Sequence, residues 1–351
     1  MKKYLKIIIK IIPLIILIII LYFTLFSKDE ESEKFYIKLK GQNIITINTN
    51  QTYEEPGFIA YDNVDGNLKD KVKITGTVKN KQGTYELTYT VKNSKGLTAK
   101  AHRFVKVERS KKITYNKAYD KLDNTSRGWW SGNKKDGTRP SGGADINELK
   151  KLNAYFLGPN EKVIYLTFDE GSYDTYVEEI VDVLNKNDVK ATFFLCLNYM
   201  KKNADLIKDM AEAGHTIGNH TASHLNMPSL ATEENFDKYL KEITEVEEAY
   251  YKITGETMEK VYRDPRGEWS IRDLQIMKDL GYKTYFYSAD YKDFAEDVTK
   301  EYALAELTKR LHNGAIYLIH PKNKGNYLAL DSFIKEAKKQ GYKFDLVKNI
   351  G

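Results

Sequence analysis

Five clusters of polar residues, each following an apolar run, are the parts of this chain that could do chemistry. They are Asp169 and Glu170 in TFDEG, His220 and His224 in NHTASH, Arg263 and Arg266 in YRDPRGEW, Asp290 and Asp293 in DYKD, and His320 in LIHP. Adjacent carboxylates repel, so Asp169 and Glu170 ahead of a glycine ask for a cation or a proton between them. His220 and His224, four apart, can present two imidazoles to one metal ion if the segment is helical or turned. Two histidines and a carboxylate leave coordination positions open for water, the arrangement used when a metal activates a nucleophile. His320 is placed to act as a general acid from the opposite side, with Asp293 able to orient it. Arg263 can pair with Asp169 and hold it ionised, whereas Arg266 reads equally well as a plain salt-bridge residue.

The elements that must position these residues are legible from Val163 onward. Helix-period stripes run through Val177, Ile180, Val181 and Leu184, through Phe236, Tyr239, Leu240, Ile243 and Val246, and through Ile271, Leu274, Met277 and Leu280. Glycines at 214, 255, 281, 314 and 341 sit where helices stop. Between them lie strand candidates at Val163 to Leu166, Val189 to Leu197, Thr216 to Gly218, Lys283 to Tyr287, Ala315 to Ile319 and Tyr342 to Val347. Repeated βα units predict a parallel sheet, open or closed into a barrel, with the chemistry at the C-terminal ends of its strands.

The N-terminal part differs. Lys2, Lys3, Lys6 and Lys10 precede an apolar stretch through Phe26, long enough for a transmembrane anchor with its N-terminus inside, so 1–27 is expected to be a cytoplasmic stub and membrane helix. Residues 28–34 form a charged linker, and 35–108 alternate in short runs broken by turns such as Pro56-Gly57 and Asp65-Gly66, as a small all-β sandwich does. The string YEEPGFIAYDNVDGNL (53–68) resembles a bacterial immunoglobulin-like (Ig-like) repeat, which reads best as a spacer or wall-docking module. Residues 109–160 read as a polar linker and lead-in; Trp129 and Trp130 within them either stack on sugar rings or pack the segment onto the next domain. The catalytic domain is expected over 161–351.

Composition excludes several functions. The formal charge of +6 is mostly lysine and spread out, so no nucleic-acid partner is expected. Cys196 is the single cysteine, which rules out an internal disulfide and reads as a buried core thiol.

The order TFDEG, HTASH, RDPRG, YKDF, LIHP resembles the five motifs of the NodB-homology polysaccharide deacetylases, carbohydrate esterase family 4, over about 125–351. The lead-in RGWWSGNKKDGTRP and the RxPRG form of the third motif are more similar to one branch, the muramic acid deacetylases that lead to muramic δ-lactam in the spore cortex. The resemblance implies a distorted (β/α) barrel that hydrolyses the N-acetyl amide of an amino sugar, assisted by a divalent metal, zinc first among the candidates. It implies Asp169 as general base, His220 and His224 as metal ligands, His320 as general acid, Asp293 tuning His320, and Arg263 steadying Asp169. Glu170 stands where the superfamily has a metal-binding aspartate: it either coordinates after adjustment or turns away. Asp264 is a second departure, at a position usually uncharged. Arg266 is expected to meet the lactyl carboxylate of muramic acid. The implied partners are peptidoglycan glycan strands and a stem-peptide amidase that acts first. The expected location is the cell membrane, single-pass, with the catalytic domain in the cell wall or forespore intermembrane space. Rival readings are the same chemistry on N-acetylglucosamine and a non-catalytic glycan-binding protein.

Overall fold

The computed structural model describes residues 35–48, 51–108, 113–132, 134, 136–171 and 175–351. The expected anchor over 1–27 and linker over 28–34 lie outside these residues. Among the described residues no helix is long and apolar enough to cross a membrane. The chain divides into two units, Met1–Lys111 and Lys112–Gly351.

The first unit contains β1 (Phe35–Leu39), β2 (Ile44–Asn48), β3 (Phe58–Asp62), β4 (Gly66–Asn67), β5 (Lys73–Thr75), β6 (Gly83–Lys92) and β7 (Thr98–Glu108). They form two sheets, ordered β1-β3-β4 and β2-β7-β6-β5. Alternation along β6 and β7 buries Leu87, Tyr89, Val91, Val105 and Val107, as in a two-sheet sandwich. Arg103 also points inward; its guanidinium donates to the carbonyls of Gln42 (2.5 Å) and Lys40 (2.8 Å) and to Glu55 (3.1 Å), so the buried charge is satisfied.

The second unit adds β8 (Arg127–Gly128), β9 (Ala154–Tyr155), β10 (Val163–Glu170), β11 (Thr192–Leu195), β12 (Thr216–Asn219), β13 (Val261–Tyr262), β14 (Glu268–Trp269), β15 (Lys283–Tyr285), β16 (Ala315–Ile319) and β17 (Lys343–Phe344). Eight strands form one sheet in the order β16-β10-β11-β12-β13-β15-β9, with β17 also beside β10. Every pairing in it is parallel. β10 is buried on both faces, which is why its sequence runs apolar without alternation. The sheet curls: just beyond β9, Leu157 forms a single bridge to Ala315 of β16, the far end of the strand order. A curled parallel half-barrel is therefore the observed form of the expected barrel.

Helices cover the outside. The predicted stripe of Val177, Ile180, Val181 and Leu184 is buried in one cluster with Phe168 and Phe193. The long helix Phe236–Thr254 buries Phe236, Tyr239, Ile243 and Val246, and Gly255 ends it in the left-handed conformation (φ 74°) that a side chain would strain. Three strand expectations shorten, and Lys283 to Tyr287 yields only β15. The run Val189 to Leu197 yields only β11, because Cys196 donates its N–H to Glu170 O and the helix Leu197–Lys202 begins at once. The run Tyr342 to Val347 yields β17 alone, since Val347 enters a 3-10 turn.

The segment read as a linker and lead-in is built into the second unit from Lys112 onward. β9 is an edge of the main sheet, and β8 pairs antiparallel with β14, Gly128 opposite Glu268. The lead-in thereby lies against the strand that follows the Arg266 turn.

Candidate active site

Asp169, near the end of β10, is the centre of the constellation. In the parallel register Asp169 lies beside Phe194 and Glu170 beside Leu195, so the two adjacent carboxylates leave opposite faces of the sheet. Asp169 shares its face with Thr167, and both receive Nη1 of Arg263 at 2.7 Å. Glu170 shares the face of Phe168 and Leu195 and is fully buried. The repulsion anticipated between these neighbours is thus relieved by strand geometry.

Arg263, 2% exposed, follows β13 and reaches across the sheet interior. Nε donates to Tyr285 O (2.8 Å), Nη2 to Phe286 O (3.3 Å), and the guanidinium lies 4.3 Å from the Phe194 ring centroid. Such a fully partnered cation suits a buried carboxylate better than a lysine would. Burial by itself would push the Asp169 carboxyl up; Arg263, with His220 and His320, outweighs it and holds Asp169 below the usual carboxylate value. Asp169 therefore stays ionised at neutral pH.

His220 follows β12 and is buried. Its Nδ1 donates to Arg263 O at 2.8 Å, which leaves Nε2 as a lone pair, 3.8 Å from Asp169 Oδ2. Burial depresses its pKa to about 4, against the opposing pull of Asp169, so the ring is neutral near pH 7. The chain then turns tightly: Thr221 (φ 68°) and His224 (φ 57°) both adopt the left-handed conformation, and His224 N–H is received by Thr221 Oγ1 at 3.0 Å. That turn, not a helix, brings the two imidazoles to 4.9 Å between ring centroids at 71°. His320 follows β16 and is one-third exposed; its N–H and Nδ1 both donate to the buried Asp293 carboxylate, at 2.5 Å and 3.0 Å. Asp293 thus fixes the orientation of the ring. Phe294, exposed, stands edge-on to the His320 ring at 6.3 Å.

Arg266 also has a left-handed backbone (φ 58°) and is half exposed, with Nη2 on Glu268 Oε2 at 2.8 Å. The same Glu268 carboxylate receives Asn226 Nδ2, two residues beyond His224, at 2.7 Å. Asp290 accepts from Ser131 Oγ at 2.5 Å and tethers the lead-in. Trp129 is buried, stacked on Phe286 at 4.3 Å, whereas Trp130 is 58% exposed. Cys196 is buried and donates Sγ–H to His220 O.

A divalent metal fits this donor set in part. His220 and His224 are neighbouring imidazoles, and His220 carries the outer hydrogen bond that fixes a ligating tautomer. Among the described residues, however, no three His, Cys, Asp or Glu side chains are gathered in metal-holding geometry, and Glu170 lies on the other sheet face. Glu170 leaves the strand on the side opposite Asp169, so as a third ligand it would have to reach the ion from that side.

Sequence reasoning missed several contributors. Thr167, Phe194 and the carbonyls of Tyr285 and Phe286 cradle Arg263, and only the strand parity of Thr167 with Asp169 signalled any of them. Asp264 was noticed, but not its role: it is buried against Asp273 of the helix Ile271–Asp279. One oxygen of Asp264 accepts from Tyr262 OH (2.9 Å) and one of Asp273 from Tyr239 OH (2.6 Å). The neighbouring Asp273 carboxyl adds to burial in favouring a proton on Asp264. Burial first, and Asp273 second, hold Asp264 well above the usual carboxylate value; burial lifts Asp273 to about 6.

The polysaccharide deacetylase family profile matches residues 157–285, and the bacterial surface protein Ig-like domain matches residues 37–107. The chain is 40% identical over 215 residues to the peptidoglycan-N-acetylmuramic acid deacetylase PdaA of Bacillus subtilis, covering 60% of this chain and 80% of that protein. It is 31% identical over 196 residues to a peptidoglycan-N-acetylglucosamine deacetylase of Bacillus cereus, covering 54% of this chain and 89% of that one. The solved structure of B. subtilis PdaA, described as a family 4 carbohydrate esterase, superimposes with a TM-score of 0.61 at 36% identity over 65% of this chain and 98% of the other. The chain belongs to the polysaccharide deacetylase family, with an Ig-like domain ahead of it. It is accordingly a hydrolase acting on amide bonds.

Proposed function

We propose that the protein is a peptidoglycan N-acetylmuramic acid deacetylase, which frees the amine whose attack on the neighbouring lactyl carboxyl can close a muramic δ-lactam. The observation that carries the muramic reading is Arg266. Its half-exposed guanidinium sits on Glu268, which also receives Asn226 two residues beyond His224, and a substrate carboxylate could join or displace Glu268 there.

In this reading Asp169, held ionised by Arg263, takes a proton from the attacking water as the water oxygen bonds to the acetyl carbonyl carbon. His320, oriented by Asp293, gives a proton to the departing nitrogen, so the C–N bond breaks to acetate and a free amine. His220 and His224 would hold the divalent metal, which when bound polarises the carbonyl and lowers the pKa of water. Zinc suits two imidazoles.

A second reading, the same hydrolysis on N-acetylglucosamine, is supported by the 31% identical relative. Acetate release from paired muramic and glucosamine glycans of equal length separates the two. Preference for muramic acid supports the proposal, and preference for glucosamine rejects it. The remaining features belong to the same proposal: a single-pass membrane anchor over 1–27 with the catalytic unit outside the cytoplasm, the Ig-like unit as spacer, action during sporulation, and an amidase that removes stem peptides first. The lysine-flanked apolar N-terminus and the match to a surface Ig-like domain support it.

A further inference from the structure

The two consecutive tryptophans have opposite fates, and only one is explained by packing. Trp129 is fixed from three sides: its N–H donates to Gly267 O (2.7 Å), its indole Nε1 to Tyr287 O (2.9 Å), and its ring stacks on Phe286. Trp130 is 58% exposed. Its backbone is nonetheless held, because Ser131 on its other side is buried and bonded to Asp290. The indole itself rests against two glycines. A Cβ at Gly132 would come within 2.8 Å of ring atom Cζ3, and a Cβ at Gly143 within 3.1 Å of Cδ1. Backbone therefore abuts both the benzo and pyrrole ends of the ring while much of its surface remains open. A large exposed aromatic held this rigidly has little rotamer freedom to lose on binding.

Both of its chain neighbours are tied to segments that carry site residues. Gly267, which anchors Trp129, directly follows Arg266, and Asp290, which anchors Ser131, is three residues before Asp293. A glycan strand lying across the mouth carries further rings beyond the one being deacetylated, and each pyranose offers an apolar face of C–H groups that matches an indole.

We propose that Trp130 is a substrate-binding residue, a rim platform that stacks on a sugar ring flanking the one being hydrolysed and so makes turnover depend on glycan length. This deepens the proposed function and rests on it only in taking the substrate to be a glycan strand.

The test measures kcat and KM for acetate release from stem-stripped glycans of two, four and eight sugars, with wild type, Trp130→Ala and Trp130→Phe. The expected result is that Trp130→Ala raises KM for the eight-sugar strand about tenfold, the loss typical of a binding hot spot. KM for the disaccharide should move far less, and Trp130→Phe should restore most of the length dependence. An equal change at every length, or none, overturns the proposal. If Trp130→Ala does not fold, Gly143→Ala crowds the indole without removing it and carries the same comparison. The sugar that loses its acetyl group is identified in the same samples, so loss from glucosamine would reject the muramic reading while leaving the length dependence to be judged separately.

Discussion

Arg263 Nη1 donates to Asp169 Oδ1 at 2.7 Å in a site where both side chains are buried. Truncating Arg263 to Met leaves an uncompensated buried carboxylate, a change that typically costs about 3–5 kcal/mol. In wild type the folded Asp169 value is lowered, so its contribution to stability is fully present above the unfolded carboxylate value and lost as pH falls through the folded one. In Arg263→Met burial is opposed only by His220 and His320, and the Asp169 carboxyl rises. The activity profile of the variant should have its acid limb displaced to higher pH, and an unmoved limb would show that Arg263 does not hold Asp169 ionised.

Glu170 and His220 should behave differently toward metal. Calorimetric titration of zinc into the region from about residue 30 onward is expected to lose binding in His220→Ala. Glu170→Gln should change the affinity by less than about tenfold, the lower end of the losses seen for supporting residues. A loss in Glu170→Gln as large as in His220→Ala would mean that the glutamate crosses to the other face of the strand when metal binds.

Arg266→Ala should discriminate between substrates. Removing a charge-assisted contact to a carboxylate is expected to reduce kcat/KM on muramic glycans by roughly 10- to 100-fold, about 1.5–3 kcal/mol, and to spare glucosamine glycans. Equal loss on both would assign Arg266 a structural role through Glu268.

The Asp264 and Asp273 pair predicts an unusual stability profile. Their folded values are raised, so this contribution is complete below the unfolded carboxylate range and disappears as pH rises through the folded values, about 6 at Asp273. Asp264→Asn supplies a permanent donor where the protonated acid stood. Urea unfolding from pH 5 to 9 should show wild type losing stability on the alkaline side and Asp264→Asn losing less; parallel curves would mean that Asp264 holds no proton.

Much of this was written in the chain. The apolar runs before Asp169, His220, Arg263 and His320 became strands with those residues at their C-terminal ends, because parallel strands in a βα repeat all deliver their ends to one side. The buried stripes of the outer helices were legible for the same reason of period. What the chain concealed was lateral. Sequence adjacency gave no sign that the pleat starts Asp169 and Glu170 from opposite sides of the strand. The lead-in looked like a linker because strands of two residues, such as β8 and β9, have no detectable period. Asp264 and Asp273 sit nine positions apart with no pattern joining them, and only the packing of a helix over β13 makes them neighbours. The fates of Trp129 and Trp130 were undecided because a dipeptide in an irregular segment carries no facing rule.

The central claim is tested most directly by mass spectrometry of stem-stripped peptidoglycan strands incubated with the region from about residue 30 onward, with zinc and with chelator, beside an Asp169→Asn control. The expected result is loss of an acetyl group from muramic acid with zinc, with or without subsequent loss of water as the lactam closes, and no change in the control although it still binds the strands. Acetyl loss from glucosamine alone, or unchanged strands under every condition with the protein still bound to them, would contradict it.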